Sequence, residues 1–357
     1  MLPLSKLKPC FSEFGKHSFP RLLRFARNDT LKDSCVAGAL TRRKVNRRYR
    51  RLQVERDRNC KRIVFFVCVL LMGFATVVWA QEGTARKPPG FFEVWLLPRV
   101  WMSAIFAVLG LVLLSKSWVQ RNLRSIVLAV IFFVFAVLWA LPLGNFARGM
   151  GVHPSPMCIT SKPFLFLNAS RGIPIFFISL FVSIAILSII GNKLFCGWAC
   201  PIGALQELVN RIKVPKVTLP FKITNWIRVG LYAVFIAVAL LAGKDLYDYF
   251  NPFESLHWGF EVYGLVVLGL VTAAGLFMFR PFCYVICPLG LWTWLFEQVS
   301  LVRVKVDKQK CNDCNKCVDD SYCPAVPAIL EQRKIRPDCH ACGRCIEICP
   351  EDALRFK

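Results

Sequence analysis

Residues 339–350 of this 357-residue chain read CHACGRCIEICP, and they carry the most specific signal in the sequence. The spacing Cys-x2-Cys-x2-Cys-x3-Cys-Pro is one with which thiolates bind cubane 4Fe-4S clusters. Upstream, residues 311–324 read CNDCNKCVDDSYCP, which has the same triplet but two extra residues before its last Cys-Pro. The end of the chain is therefore expected to bind two 4Fe-4S clusters.

The two runs are expected to exchange their last cysteines, because in two-cluster proteins the fourth cysteine of each run binds the other cluster. The first cluster is assigned Cys311, Cys314, Cys317 and Cys349. The second cluster is assigned Cys339, Cys342, Cys345 and Cys323. The two extra residues in the first run lie directly before Cys323, so only for this cysteine does the spacing leave open whether it reaches its cluster. Zinc also binds four thiolates, but a proline after each fourth cysteine favours the clusters.

His340 lies between two of these cysteines, and we expect it to be a solvent-exposed neighbour rather than a ligand. The composition changes near residue 303, where a compact, cysteine-rich and nearly charge-balanced tail begins. Residues 303–357 are therefore interpreted as a separate α+β domain with the small two-cluster ferredoxin fold, held together by its clusters.

The rest of the chain is very apolar: of all residues, 55% are hydrophobic and only 19% are charged. Six apolar runs each approach the roughly 20 residues with which a helix crosses a bilayer core. They cover residues 63–80, 94–114, 125–143, 173–191, 226–243 and 259–279. The sequence therefore predicts an all-α transmembrane bundle of about six helices over residues 63–302.

Charge predicts the orientation of this bundle. Lys and Arg outnumber Asp and Glu by 46 to 22, for a net charge of +24. If residues 1–62 face the cytoplasm, 39 of the 46 cations lie on that side. By the positive-inside rule this predicts a multi-pass protein of the cytoplasmic (inner) membrane, with both termini and the cluster domain in the cytoplasm. The basic excess is interpreted as topology and contact with lipid, and it does not favour nucleic acid as a partner.

Residues 1–62 alone hold 18 Lys and Arg. We interpret them as a basic cytoplasmic segment whose composition is compatible with disorder. Three alternatives are open for this region: a lipid-binding or nucleic-acid-binding stretch over 41–51, an export signal, and an extension that begins at an incorrect start site.

A second repeat lies in the apolar part, FCGWACPIG at 195–203 and FCYVICPLG at 282–290, 87 residues apart. Each copy follows a predicted helix that ends on the cytoplasmic side. Each is followed by an amphipathic stretch, 204–213 or 291–300, suited to the membrane surface. If each copy is helical, its two cysteines share a face one turn apart. Four thiols are therefore expected to converge at the inner membrane face: Cys196, Cys200, Cys283 and Cys287.

These four thiols have three interpretations: a third iron–sulfur or other soft-metal centre, a redox-active dithiol system, and buried thiols at helix breaks. Repetition at equivalent positions favours a function. Three ionisable residues in the predicted outer loops, His153, Glu254 and His257, are candidates to accept protons from a quinol. The alternative interpretation is that they are interfacial anchors or form hydrogen bonds within the loops.

The paired FCxxxCPxG motifs, followed by a two-cluster tail, resemble the NapH/MauN-type membrane ferredoxins and the C-terminal half of NosR, over roughly residues 60–357. The resemblance implies a membrane electron-transfer protein that works with other electron-transfer subunits. It would relay electrons between the quinone pool or a membrane partner and a respiratory or other reductase. The eight tail cysteines would be its cluster ligands. No large domain of the flavin-binding NosR kind fits between the first two helices, so no flavin is predicted.

On this interpretation we expect the chain to be an electron carrier or redox subunit rather than a stand-alone enzyme. Two other classes of function are compatible with the motifs. The first is an assembly or maturation factor for a respiratory metalloenzyme, as relatives of the CcoG type are thought to be. The second is a membrane redox sensor, which would need an output domain that only residues 1–62 could supply.

Overall fold

Apolar runs and prolines set the helix boundaries in the apolar part of the chain. The computed structural model describes residues 90–138, 150, 155–256 and 262–357. Several predictions concern residues outside this range: the basic segment over 1–62, the helix over 63–80, His153, His257 and the side chain of Glu254.

The described part of the chain is mostly helical. In chain order its first helices are α1 (Pro98–Ser115), α2 (Arg121–Ala136), α3 (Cys158–Asn168), α4 (Ile175–Gly191), α5 (Leu194–Trp198) and α6 (Pro201–Val209). They are followed by α7 (Phe221–Ala242), α8 (Pro252–Leu256), α9 (Val262–Phe277), α10 (Pro281–Val285) and α11 (Pro288–Glu297). Proline begins several of these helices, at the position where its missing N–H costs no helical hydrogen bond.

The five predicted runs within the described residues all fall wholly or partly on helices. Two of these helices, α1 and α7, are long and apolar enough to cross a membrane by length and composition. Helices α4 and α9 are also apolar but shorter, with 17 and 16 residues. Aromatic and aliphatic side chains from several helices form a shared core that includes Tyr232, Phe235, Tyr247, Phe253 and Phe282.

The two FCxxxCP copies exchange their packing partners. Each motif comprises a short helix, α5 or α10, and a following helix, α6 or α11. Helix α6 packs on α9, which precedes the second motif, and α11 packs on α4, which precedes the first. Helix α6 also packs on α2, and α11 on α7. The helices that follow the motifs are therefore packed among their neighbours, and their position at the membrane surface stays a prediction.

The tail combines a small sheet with short helices. Strands β1 (Val304–Val306) and β2 (Leu354–Phe356) pair antiparallel, with Lys305 opposite Arg355. Between them lie α12 (Lys316–Asp319), α13 (Ala325–Leu330) and α14 (Arg344–Ile348). The chain enters the tail through two backbone hydrogen bonds to α4, from Leu301 N–H to the Ile189 carbonyl at 2.7 Å and from Val302 N–H to the Ile190 carbonyl at 3.1 Å. The tail thus begins next to the first FCxxxCP motif.

Candidate metal centres

The eight tail cysteines line two separate small cavities. The first tail pocket is lined by Cys311, Cys314, Cys317 and Cys349. The second tail pocket is lined by Cys323, Cys339, Cys342 and Cys345. The structure therefore groups the cysteines in the same sets that the exchange of fourth cysteines predicts, and Cys323 reaches the second pocket despite the insertion before it.

The two loops share a backbone conformation that suits a cluster. In the first loop Asp313 and Asn315 both have φ of 52°, and at the equivalent positions of the second loop Ala341 has φ of 46° and Gly343 of 78°. Left-handed residues within such loops form backbone concavities of the kind that binds anionic groups, including iron–sulfur clusters. Both tail pockets therefore fit a 4Fe-4S cluster by their thiolate donors and by the shape of their loops.

The surroundings of the two pockets differ. Each pocket has two buried cysteines; of the other two, Cys311 is half-buried and Cys314 exposed in the first pocket, whereas Cys323 and Cys342 in the second are both half-buried. Burial, and after it Cys342, raises the pKa of Cys323 to about 12. In the cluster-free protein the Cys323 thiol therefore stays protonated at neutral pH, and cluster binding must release its proton.

The prediction that His340 is solvent-exposed is wrong, because only 2% of this residue is exposed. Its ring lies 5.1 Å from the ring of Tyr284 and 6.4 Å from that of Phe279. Neither ring nitrogen has a hydrogen-bond partner among the described residues. Burial lowers the pKa of His340 well below its ordinary value, so the imidazole is neutral at neutral pH.

Each FCxxxCP motif breaks between its two cysteines. Cys196 and Cys283 lie in the short helices α5 and α10, whereas Cys200 and Cys287 are extended residues that cap the next helix. The expectation that each pair shares one helix face is therefore wrong. The reason is the proline after each second cysteine, which disfavours helical geometry in the residue before it. Each motif instead places one thiol within a short helix and one at the N-cap of the next helix.

The four thiols nevertheless converge, and we call this convergence the four-thiol site. The contacts cross between the copies, since Gln206 Nε2 lies 3.8 Å from Cys283 Sγ and Thr293 Oγ1 lies 3.9 Å from Cys196 Sγ. Gln206 and Thr293 are themselves 87 residues apart, like the cysteines. Burial, followed by the neighbouring thiols of Cys283 and Cys196, raises the pKa of Cys287 to about 12.

A glycine lies near each capping thiol. The backbone of Gly203 lies near the Cys200 thiol and that of Gly290 near the Cys287 thiol, and each favours the thiolate form. Both positions require glycine for close packing, because an added Cβ at Gly203 would lie 2.8 Å from the Cys196 carbonyl oxygen, and one at Gly290 2.7 Å from the Cys283 oxygen. Hydrogen bonds to cysteine sulfur are one means by which proteins set the potential of an iron–sulfur cluster. This arrangement suits thiolate ligands.

Buried cations surround the four-thiol site, again in a crossed pattern. Arg280 donates to the Cys196 carbonyl at 2.6 Å, and Lys193 donates to the Gly290 carbonyl at 2.8 Å. A third buried cation, Arg228 of α7, donates to the Cys283 carbonyl at 3.1 Å. An excess of positive charge favours thiolates over thiols and favours an anionic cluster bound by them.

Glu207 balances part of this charge. Its carboxylate accepts hydrogen bonds from Arg124 at 3.0 Å and from Arg280 at 2.5 Å, and all three side chains are buried. Burial on its own raises the pKa of Glu207, but the two guanidinium groups outweigh it and hold the pKa well below its usual range. Arg124 also donates to the Gly197 carbonyl at 2.6 Å. The ion-pair network thus fixes the short helix α5, on which Cys196 lies.

These buried ion pairs were not anticipated from the sequence, where the cations were counted as cytoplasmic flanks. One signal could have identified two of them. Lys193 and Arg280 each precede the first cysteine of a motif by three residues, so they repeat with the same 87-residue interval. A flanking charge has no reason to repeat in register with a ligand.

Among the described residues, no group of three or more His, Cys, Asp and Glu side chains has the arrangement of a single-ion site. The eight tail cysteines instead surround cavities, as cluster ligands do. The four-thiol site also has an apolar neighbour, a cavity of about 330 Å³ bounded by α1, α3 and α4. Its lining includes Phe195, Ala199 and Pro201, which bracket the two cysteines of the first motif.

Comparison with known proteins agrees with this description of the sites. Two families, both described as 4Fe-4S binding domain, match the chain, one over residues 173–220 and 260–308 and the other over residues 334–355. The first match contains both FCxxxCP motifs. The second contains four of the tail cysteines. No solved structure matches the chain.

Several curated proteins are similar to the chain. The ferredoxin-type protein NapH of Haemophilus influenzae is 26% identical over 61% of this chain and 81% of its own length. The methylamine utilization ferredoxin-type protein MauN of Methylorubrum extorquens is 27% identical over 59% of this chain and 76% of its own length. The regulatory protein NosR of Stutzerimonas stutzeri is 27% identical over 48% of this chain and 25% of its own length.

The cysteine pockets and these similarities define an iron–sulfur electron-transfer protein. The resemblance identified from the motifs is confirmed as well. The chain belongs to the NapH/MauN/NosR-type 4Fe-4S ferredoxin-type proteins.

Proposed function

We propose that this chain is an integral membrane electron-transfer protein with three iron–sulfur centres. The first tail pocket and the second tail pocket would each hold a 4Fe-4S cluster through their four cysteines. The four-thiol site would hold a third centre. When bound, these clusters supply reversible one-electron transfer, and the protein supplies their positions and their electrostatic surroundings.

The observation that carries the third centre is the convergence of thiols from two distant motifs. Gln206 and Thr293 each contact the cysteine of the opposite copy, at equivalent positions of the two motifs. A structural helix break needs none of these polar contacts to sulfur. The match of a 4Fe-4S binding domain to both motifs supports the same assignment.

The proposal includes a membrane domain over residues 63–302 with six crossings, and a cytoplasmic cluster domain over 303–357. Helices α1 and α7 support it by length, and the apolar helices α4 and α9 would be completed by their flanking residues. Residues 1–62 would form a basic segment on the cytoplasmic side of the inner membrane, next to lipid headgroups.

The apolar cavity beside the first motif supports a quinone or quinol as the membrane partner. Its lining is almost wholly apolar, and Arg99 is the charged side chain among the described lining residues. Quinone sites need an apolar wall for the ring and a donor for a carbonyl oxygen.

Tryptophan fluorescence can detect quinone binding at this cavity, since Trp95 and Trp101 line it and a bound quinone quenches their emission. Titration with a short-chain quinone is expected to quench it saturably, and the variant A104W, which fills the cavity, is expected to abolish saturation.

The variant V108W is the matched control for this titration. Val108 lies on the same helix, one turn further on, and is 56% exposed. Quenching that is linear in quinone concentration for the unmodified protein would exclude a quinone site at this cavity. Equal loss of saturation in both variants would exclude it as well.

Metal and sulfide analysis tests the proposed centres. Protein purified without oxygen is expected to contain about twelve irons and an equal amount of acid-labile sulfide, because each cubane holds four of each. The double variant C196S/C283S is expected to retain about eight irons. Cys158 is buried and lies outside all three sites, so C158A is the control and is expected to keep the full content. Stoichiometric zinc would overturn the tail assignment, and unchanged iron in C196S/C283S would overturn the third centre.

A maturation factor is the second candidate function, and residues of the four-thiol site would then hold a metal for delivery. Deletion of the gene distinguishes the electron-carrier hypothesis from the maturation-factor hypothesis. If the protein is a carrier, partner enzymes in the deletion strain keep their metals but receive no electrons. If it is a maturation factor, a partner enzyme lacks its metal in the deletion strain, and the clusters of this protein do not respond to quinol.

A further inference from the structure

We propose that residues 338–341 couple the second tail pocket to the four-thiol site, so that the second pocket is the inner site of the tail and the first pocket is the outer one. The inference rests on the proposed function, because it requires that all three sites hold clusters. The inference adds the spatial order of the three sites, which the cysteine motifs alone leave open. Two independent sets of contacts support it, one from each FCxxxCP copy.

The first copy contacts this segment through Gly197 and Trp198. A Cβ atom on Gly197 would lie 2.1 Å from the carbonyl oxygen of His340, so the two backbones approach as closely as glycine permits. The fully buried Trp198 donates from Nε1 to the carbonyl of Ala341 at 2.8 Å. The loop that carries Cys339 and Cys342 therefore lies directly on the residues that follow Cys196.

The second copy contacts the segment through Tyr284, which follows Cys283. Its hydroxyl donates to the Asp338 carbonyl at 2.9 Å, and this carbonyl belongs to the peptide that leads into Cys339. Its ring also packs against the His340 ring. Cys283 and Cys339 are thus joined through one tyrosine side chain and one hydrogen bond, and both Tyr284 and His340 are buried.

Buried charges hold the contact in place. The Asp338 carboxylate pairs with Lys193 and, at 3.1 Å, with Arg228, and all three side chains are fully buried. The Glu297 carboxylate of α11 accepts the N–H of Cys339 at 3.0 Å. Both cations also bind carbonyls of the second FCxxxCP motif. One ion-pair network therefore fixes the second tail pocket against the four-thiol site.

The first tail pocket has none of these contacts. Its described lining residues all belong to the tail, whereas Phe279, at the end of the span that precedes the second motif, lines the second pocket. The loop over 312–316 is exposed throughout, including Cys314. On its other side the first pocket adjoins the second, since helix α12, which carries Cys317, packs on helix α14, which carries Cys345. The first pocket is therefore the site that a second electron carrier can approach.

Electron paramagnetic resonance tests the order of the sites, because a paramagnetic centre relaxes faster when another lies nearby. The sample is full-length protein, purified without oxygen and reduced with dithionite. The signal of the four-thiol site is identified by its loss in C196S/C283S. Its relaxation is expected to slow to that of an isolated centre in C339S/C342S, and to stay fast in C311S/C314S. Fast relaxation in C339S/C342S, or slow relaxation in C311S/C314S, would overturn the inference.

Two glycine variants test the contact between Gly197 and His340 without changing any cluster ligand. The variant G197A is expected to slow the relaxation while iron content stays unchanged, because its methyl group must displace the His340 carbonyl. The control is G230A, since nothing lies within 4 Å of an added Cβ at Gly230. Equal relaxation in both variants would overturn the role of the contact, and if G197A does not fold, the two double variants decide alone. Undiminished iron in C196S/C283S would instead contradict the proposed third centre.

Discussion

The two tail pockets have nearly the same cysteine spacing and left-handed residues at the same loop positions, yet their surroundings differ. The first pocket is bordered by the exposed residues 312–316. The second is covered by Tyr284 and by Trp198, and its leading residue Asp338 is fully buried. The cysteine motif therefore specifies which thiols bind a cluster, whereas the contacts outside the motif specify which other redox site or protein that cluster can approach.

The largest expected difference between the pockets is in tail stability. In C339S/C342S the inner half of the tail loses the cluster that its fold depends on, so the contacts to both FCxxxCP motifs are expected to loosen. In C311S/C314S those contacts remain. Limited trypsin digestion after Arg333 and Lys334 is expected to run about tenfold faster in C339S/C342S than in C311S/C314S. Equal rates would show that the second pocket is not the anchored one.

The next largest effect concerns the charge that anchors the second pocket. In D338N the cations Lys193 and Arg228 remain buried with no charged partner in place of Asp338, which is expected to lower the free energy of unfolding by about 3–5 kcal/mol. The control is D319N, an exposed position in α12 near the first pocket, which is expected to change it by about 0.5 kcal/mol or less. Unfolding in mixed detergent, followed by cluster absorbance, measures both. Similar losses of unfolding free energy in D338N and D319N would show that buried charge does not anchor the second pocket more strongly than the first.

Glu207 tests the network on the side of the first FCxxxCP motif. In E207Q the guanidinium groups of Arg124 and Arg280 lose their shared anion, and the expected loss of stability is about 3 kcal/mol. Because the pKa of Glu207 is held well below its usual range, its contribution is present above the ordinary carboxyl pKa and is lost only in strong acid. The difference between E207Q and the unmodified protein should therefore be constant from about pH 6 to about pH 8. A difference that disappears within this window would contradict the assigned charge.

The smallest expected effect is that of Y284F. This change removes the hydrogen bond to the Asp338 carbonyl but keeps the ring against His340, so stability should fall by about 1 kcal/mol. The variant Y284A also removes the ring and should slow the relaxation of the four-thiol site, as G197A does. If Y284F has the same effect on relaxation as Y284A, the hydrogen bond rather than the ring carries the coupling.

Much of this arrangement could be predicted from local patterns. The apolar runs predicted helices, and the cysteine spacing predicted which tail cysteines share a pocket. The burial of His340 could not be predicted, because it depends on Gly197 and Tyr284, which lie more than 50 residues away in sequence. The break within each FCxxxCP motif could have been predicted, since proline disfavours a helical residue before it.

The buried ion pairs show the remaining limit of sequence reasoning. Arg228 lies in an apolar run and Lys193 beside one, where a single cation is ordinarily interpreted as a membrane flank. Their partner Asp338 belongs to the tail, and only the folded chain brings the three together. The in-register repeat of Lys193 and Arg280 was the available signal, because it tied these cations to the cysteines.

The most direct test of the central claim is the location of iron. An anomalous difference map recorded at the iron edge, from crystals of protein purified without oxygen, shows each centre separately. We predict three peaks: one among the four FCxxxCP cysteines, one in the second tail pocket and one in the first, with the second-pocket peak between the other two. Only two peaks, or a peak in the first tail pocket nearer to the four-thiol site than the second, would contradict the account.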